Sequence, residues 1–441
     1  MAESVEDIQR ESLTPEELRD AWPVIDNEER IEGFRLLARD EAEDFFLELS
    51  SRGQAAVLGG MPLRERRAWL RLMPPDDVAD VLPEFPSEDR GELLGMLDDS
   101  SRREVNALLA YSEDEAGGLM NPRFARVRPE MTVEEAIRYV RRQAPNLETI
   151  YYVYVLDGEQ RLLGVVSFRE LLLSPGEKLV REVMHEEVIT VPEELDQEAV
   201  ARVIAQHDIL AVPVVDAERR VKGIVTVDDV VDVVETEATE DIQKIGGSVA
   251  LDAPYLQTSV REMILKRAGW LAVLLVGEMF TTSALSLYEE RFTKILIILL
   301  PLILSSVGNS GSQATTLIVR AMALGQVRLR DWWRIARREL SSGLALGAIL
   351  ALLGFARILV GHWWFGDFTE HFLYVGFAVG ISLIGVVTLG TLIGSLLPLV
   401  LRALRFDPAS ASAPVVATLL DVSGVLIYFN VAFALLEGRL L

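Results

Sequence analysis

The chain contains no cysteine, which excludes disulfides, thiolate metal sites and cysteine nucleophiles and fits a reducing compartment. Histidine is nearly as scarce. His185, His207, His362 and His371 are its four copies, and none stands in a His-Glu-x-x-His array, so an intramembrane zinc protease is excluded and no enzymatic activity is expected. The first residues, Met1 to Ile8, are acidic rather than apolar, so no cleavable secretory signal is expected and membrane insertion falls to later segments. Positive charge is short in the first part: residues 1–260 hold 56 acids against 28 basic residues (net −28), whereas residues 261–441 hold 11 against 15 (net +4). A surface that negative repels nucleic acid and anionic lipid and suits cations.

What the second part has instead is apolar length. Five segments, about 269–288, 293–322, 340–362, 372–401 and 414–436, are each long enough to cross a bilayer as a helix. Arg328, Arg330, Arg334, Arg337 and Arg338 crowd the second connection, and Arg402 and Arg405 lie in the fourth. The positive-inside rule then predicts a cytoplasmic amino terminus and an external carboxyl terminus. Asp421 breaks the apolar run of the fifth segment, roughly 10 Å along a helix begun at Pro414. Its neighbours carry no charge, so it needs a cation, a wet lumen or a proton. Glu278, in the first segment, reads either as hydrogen-bonded to a Ser or Thr of a neighbouring helix or as touching an ion.

The second segment has a polar centre, Ser305-Ser306-Val307-Gly308-Asn309-Ser310-Gly311-Ser312-Gln313-Ala314-Thr315-Thr316, preceded by Pro301. Such content is costly against lipid, so it must face protein or water, with Asn309 and Gln313 on one i, i+4 face. The fifth segment repeats the device with Pro414, Ala417, Thr418 and Asp421. Gly376, Gly380, Gly385, Gly390 and Gly394 in the fourth segment read first as helix-packing positions.

Within the first 110 residues, Leu37, Leu49, Met61, Met73, Phe85, Leu97 and Leu109 recur every 12 residues, each followed by a residue such as Ser50, Pro62, Pro74, Pro86 or Asp98 that suits a helix start. The spacing predicts short helices stacked into a small superhelix with an acidic solvated face. A second repeat of about 60 residues follows. Met120-Asn-Pro matches Met184-His-Glu, and a helix with Glu134 to Val140 matches one with Glu198 to Ile204. A strand pair then leads to Gly164-Val-Val-Ser167-Phe-Arg169-Glu170 and Gly223-Ile-Val-Thr226-Val-Asp-Asp229. A strand ending in a hydroxyl residue with an acid three positions on resembles the CBS (cystathionine-β-synthase) module, which occurs in tandem and which in that family can hold a nucleotide. Beyond it, Asp228, Asp229, Asp232, Glu235, Glu237, Glu240 and Asp241 lie on helix-compatible sequence, and the last three acids share a self-repelling face that is stable only when solvated or bridged by cations.

Gly-Asn-x-Gly-x-Gln at 308–313, Pro-x-x-Ala-Thr-x-x-Asp at 414–421 and Glu-Asp-Glu-Ala-Gly-Gly-Leu-Met at 113–120 together resemble the MgtE family of magnesium channels over essentially the whole chain. The resemblance implies a multidomain α + α/β membrane protein: an acidic α-superhelical domain (1–119), a tandem CBS pair (120–183 and 184–240), a connecting plug helix (241–268) and a five-helix transmembrane domain (269–441). It implies a homodimer whose pore lies between the two membrane domains. Asp421 and the Ala417 carbonyl take the place of the ion-selecting site, with Thr418, Asn309 and Gln313 along the pore. Asp44, Asp76, Asp80, Glu198, Asp208, Asp229, Asp232, Glu237, Glu240, Asp241 and Asp407 stand where the family binds regulatory Mg²⁺. Tyr152, Ser167, Arg169 and Thr226 match the nucleotide site, so ATP or another adenine nucleotide is the implied second ligand. Two positions depart from the family motifs: Ala413 replaces an Asn and Val307 a Gly.

The expected function is passive Mg²⁺ uptake, closed by cytoplasmic Mg²⁺. The competing expectations are a carrier coupled to H⁺ or Na⁺, a channel that also passes Mn²⁺ or Co²⁺, and a nucleotide sensor that only signals.

Overall fold

In the computed structural model the described residues are 13–251, 253, 255–256, 258–288, 294–365, 371–410 and 413–437. They divide into two units, Met1–Glu237 and Ala238–Leu441.

The described residues of the first unit begin with eight short helices: α1 (Pro15–Ala21), α2 (Asn27–Leu36), α3 (Arg39–Leu47), α4 (Ser51–Gly59), α5 (Leu63–Leu70), α6 (Pro75–Val81), α7 (Ser87–Met96) and α8 (Asp99–Leu108). The 12-residue period is the helix-break period. Ala38, Ser50, Pro62, Pro74, Pro86 and Asp98 are the N-caps of α3 to α8 in turn, and the period residue before each turns into the core. Leu37, Met61, Met73, Phe85 and Leu97 are buried and Leu49 is partly buried, whereas Leu109, the last of the series, is exposed. Burying one large apolar side chain per break contributes about 1.5–3 kcal/mol each, which is what holds helices too short to be stable alone.

Two matching α/β repeats follow. The first holds α9 (Ala116–Leu119), β1 (Arg126–Val127), α10 (Val133–Gln143), β2 (Tyr152–Leu156), β3 (Leu162–Ser167) and α11 (Phe168–Leu173). The second holds β4 (Val191–Pro192), α12 (Gln197–His207), β5 (Ala211–Val215), β6 (Val221–Thr226) and α13 (Val227–Ile245). Each forms a three-stranded sheet, ordered β1-β2-β3 and β4-β5-β6, with one parallel and one antiparallel pairing. Tyr152 pairs with Ser167 as Ala211 pairs with Thr226, and both sheets carry an irregularity one strand pair from their glycine, Gly164 or Gly223. The repeats also clasp one another. His185 bridges to Val165 in the first sheet, and Asn121 bridges to Ile224 in the second. The segments Met120-Asn121 and Met184-His185 are therefore equivalent by structure as well as by spacing.

Among the described residues the second unit contains five helices long and apolar enough to cross a membrane: α14 (Val260–Ser286), α15 (Lys294–Ala323), α16 (Trp332–Val360), α17 (Phe372–Ala403) and α18 (Ala413–Leu436). Two expectations about helix limits need correction. The stretch 241–268 is not one connecting helix, because α13 begins in the second repeat and stops at Gly246-Gly247, where Gly247 takes φ +76° and the Ser248 hydroxyl donates to the Gln243 carbonyl at 3.0 Å. Ser259 then caps a new helix by accepting from the Glu262 N–H, so residues 260–268 belong to the first span. The third span likewise starts at Trp332, which makes Arg334 to Arg338 helical rather than part of a loop.

Small residues set the helix spacing in this unit. An added Cβ at Gly394 of α17 would lie 2.2 Å from the Gly311 carbonyl oxygen of α15, and the Thr315 hydroxyl donates to the Gly394 carbonyl at 2.8 Å.

Candidate functional site in the membrane helices and the acidic cluster

Asp421 lies on α18 between two partner helices with regular registers. Against α15 the register is antiparallel: the Ser312 hydroxyl donates to the Ala413 carbonyl at 3.3 Å, Gly308 faces Ala417, and Gly424 faces Leu304 and Val307. Against α14 it is parallel: Gly277 faces Thr418, Tyr288 stacks on Phe429 at 4.9 Å, and the Asn430 amide donates to the Tyr288 hydroxyl at 3.0 Å. That parallel offset brings Glu278 level with Asp421, and their carboxyl groups are in hydrogen-bonding contact. Glu278 thus meets a second carboxyl group rather than standing isolated. Two carboxyl groups in contact must share a proton or a cation.

Ala417 and Thr418 are half-buried one turn before Asp421. The Thr418 hydroxyl is used within its own helix, donating to the Pro414 carbonyl at 3.0 Å. On α15, Ser305, Asn309, Gln313 and Thr316 form one exposed polar stripe, and the Asn309 amide donates to the Ser305 hydroxyl at 3.2 Å. Ser310 and Thr315, from the same polar centre, are instead buried and satisfied by helix carbonyls.

The acids of the first unit gather at the start of α6. Asp76, Asp77 and Asp80 face Asp228, Asp229 and Asp232 at the start of α13, with Glu148 and Glu113 beside them. Pro74 and Pro75 open α6 and turn its first-turn acids inward. Burial is the main cause of the perturbations, and like charge adds to it. Asp76 is pushed up to about 8 by burial, then by Asp77, Glu148 and Asp229. Asp80 rises to about 7 through burial of its carboxyl, then Asp77, Glu113 and Asp229, although the residue keeps exposed surface. Glu148 rises to about 7 and Asp77 to about 6, burial again leading. Asp229 and Asp232 are also raised, Asp229 despite accepting from the Thr226 hydroxyl at 2.6 Å. The Asn121 amide, 1% exposed, donates to Asp76 at 3.0 Å and Glu148 at 2.6 Å. Asp77, Glu148 and Asn121 were not among the expected site residues. Asp77 is signalled by its adjacency to Asp76 and Asn121 by the repeated Met-Asn-Pro, but nothing in the sequence marks Glu148.

The other expected residues are dispersed. Asp44 is exposed on α3. Glu198 lies 3.8 Å from Arg202, and Asp208 is an exposed left-handed C-cap of α12. Glu237 accepts from the Gln197 amide at 2.5 Å. Glu240 pairs with Lys244, whose ammonium also lies 2.8 Å from Asp407, and Asp241 is half-buried on the same helix. The 237, 240 and 241 face is therefore compensated in part by protein groups rather than left to repel itself. Among the described residues, no three His, Asp or Glu side chains converge as a ready-made metal site.

In the nucleotide set, Tyr152 and Ser167 pair across β2 and β3, and Arg169 is exposed in the following helix. The Ser167 hydroxyl donates to Glu170 at 2.7 Å, the same arrangement that Thr226 makes with Asp229.

Five membrane-length helices, an intramembrane acid pair and a tandem CBS module define a membrane transport protein. The family described as MgtE, divalent cation transporter, matches residues 300–431, the MgtE intracellular N domain matches 13–114, and CBS domains match 116–175 and 180–236. The magnesium transporter MgtE of Thermus thermophilus is 42% identical over 434 residues, covering 97% of this chain and 94% of that protein, and the magnesium transporter MgtE of Bacillus subtilis is 31% identical over 430 residues, covering 97% and 93%. This chain belongs to the MgtE family, which consists of transporters and not enzymes. Among solved structures, the cytosolic domain of the Mg²⁺ channel MgtE in complex with ATP is 44% identical, covers 51% of this chain and 91% of that one, and superposes with a TM-score of 0.47.

Proposed function

We propose that this chain is a Mg²⁺-selective channel for magnesium uptake across the bacterial plasma membrane, working as a homodimer with its amino terminus in the cytoplasm. The observation that carries the reading is the placement of Asp421: an ionisable group inside a membrane helix, level with Glu278 and packed beside the polar helix α15. The relatives named as magnesium transporters support the choice of ion.

The exposed stripe Ser305, Asn309, Gln313 and Thr316 cannot rest against lipid at low cost, so a second copy meeting it across a water-filled seam accounts for it. Mg²⁺ gives up its water reluctantly. One Asp421 from each subunit, with Ala417 carbonyls, supplies two negative charges and acceptors for the waters of a hydrated divalent ion.

Regulation is assigned to the acids of the first unit together with Glu237, Glu240, Asp241 and Asp407. An all-carboxylate donor set suits Mg²⁺, and burial has already made bare charge costly at Asp76, Asp77, Asp80 and Asp229. Cytoplasmic Mg²⁺ stabilises the closed state to the extent that it binds that state more tightly. Tyr152, Ser167 and Arg169 offer a ring, a hydroxyl and a guanidinium near one sheet edge, a set that suits an adenine nucleotide.

Flux into proteoliposomes tests the reading. Asp421→Ala is expected to abolish selective Mg²⁺ uptake, and wild-type flux is expected to persist without an H⁺ or Na⁺ gradient. Normal uptake by the variant refutes the role of Asp421; dependence on an imposed gradient makes the protein a carrier.

A further inference from the structure

We propose that the arginine-lined cleft at the start of α16 binds the headgroup of an anionic phospholipid. The cleft, about 570 Å³, is lined by Arg334, Arg337, Arg338, Leu340, Ser341 and Leu344. Positions 334, 337, 338, 341 and 344 recur at three- and four-residue intervals, so they share one side of the helix. The opposite side is committed elsewhere: Ile335 packs with Ile318, Met322 and Leu399, and Ala336 is buried.

A topology signal needs only that basic residues lie in the connection. It does not need three of them over a cleft with leucines at its inner end. The three guanidinium groups are exposed and poorly compensated. Arg334 reaches Asp331 only at 4.0 Å with 87% of its side chain exposed, and among the described residues neither Arg337 nor Arg338 forms an ion pair, although the half-buried Glu339 next in the chain acts electrostatically on Arg338. Guanidinium groups present forked donors that match phosphate oxygens.

The order of groups along the helix matches the order of groups in a lipid. Trp332 and Trp333, 53% and 65% exposed and in edge contact at 5.5 Å, mark the interfacial level that tryptophan prefers. The arginines follow, then the Ser341 hydroxyl, and then Leu344, roughly 15 Å beyond Arg334 along the axis, where acyl chain begins. A free phosphate would use the arginines and leave the leucines unexplained.

The test uses the full chain in membranes of equimolar phosphatidylglycerol and phosphatidylcholine, with retained lipids counted by native mass spectrometry after extraction. Phosphatidylglycerol should be retained about tenfold or more over phosphatidylcholine, as expected for a few basic groups acting on one anionic headgroup. The preference should fall to near parity in the triple variant R334Q/R337Q/R338Q and survive in part in R334K/R337K/R338K, which keeps the charge. Equal retention by the wild type, which involves no variant that might misfold, overturns the proposal. So does an unchanged preference in the glutamine variant. Inorganic phosphate at tens of millimolar should leave the bound lipid in place; its displacement by phosphate alone would mark a free-anion site and overturn the assignment to lipid.

Discussion

The Lys244 ammonium lies 2.8 Å from the Asp407 carboxylate, joining the last turn of α13 to the connection between α17 and α18, while also pairing with Glu240 one turn back. Lys244 is half-buried, and these two partners raise its pKa against the opposing effect of burial. One tethered cation thus stands between two of the acids assigned to Mg²⁺. Lys244→Met should loosen α13 in low Mg²⁺, read as faster proteolysis within residues 246–259, and millimolar Mg²⁺ should reduce the difference by bridging the freed acids. Equal cleavage of both proteins without Mg²⁺ would show that the tie holds nothing.

The buried acids predict a pH dependence with a definite sign. Asp77, Asp80, Glu148 and Asp76 keep their protons up to about 6, 7, 7 and 8 when folded, whereas unfolded carboxyls release theirs near 4. The folded unit therefore binds more protons between about pH 4 and pH 8, and without divalent ions its stability falls as pH rises through that window. Protease resistance of residues 13–237 in EDTA should decline from pH 5 to pH 8 and recover on adding Mg²⁺.

Asp76→Asn removes a buried charge yet keeps an oxygen for the Asn121 amide. It should stabilise the Mg²⁺-free protein at pH 8 by about 1–3 kcal/mol, the scale of one uncompensated buried group, and should weaken the Mg²⁺ response. Thermal melting with and without Mg²⁺ checks both halves.

Gly394→Ala should force α17 away from α15, since its Cβ would meet the Gly311 carbonyl at 2.2 Å. Overpacking of this kind costs about 1–3 kcal/mol, visible as a lower melting temperature in detergent.

The absence of cysteine makes the proposed dimer simple to examine. Single cysteines placed along the α15 stripe, at Asn309 or Gln313, should give disulfide-linked dimers under mild oxidation, whereas a cysteine at buried Ser382 on α17 should not.

Much of this architecture was legible because it rests on local rules. The 12-residue period, the N-caps, the two strand-to-helix turns and the apolar lengths of the spans are each decided by residues a few positions apart. Even Asp421 announced itself, since a charge in an apolar run conflicts with its surroundings whatever the fold. Tertiary structure decided what depends on register between distant segments. The parallel offset of α14 and α18 set Glu278 against Asp421, the clasp of the two repeats carried Asn121 to Asp76 and Glu148, and the end of α13 brought Lys244 to Asp407. A sequence records which residues bear charge; which charges must share one buried space is fixed only when helices pack, because desolvation and Coulomb repulsion act across space and not along the chain.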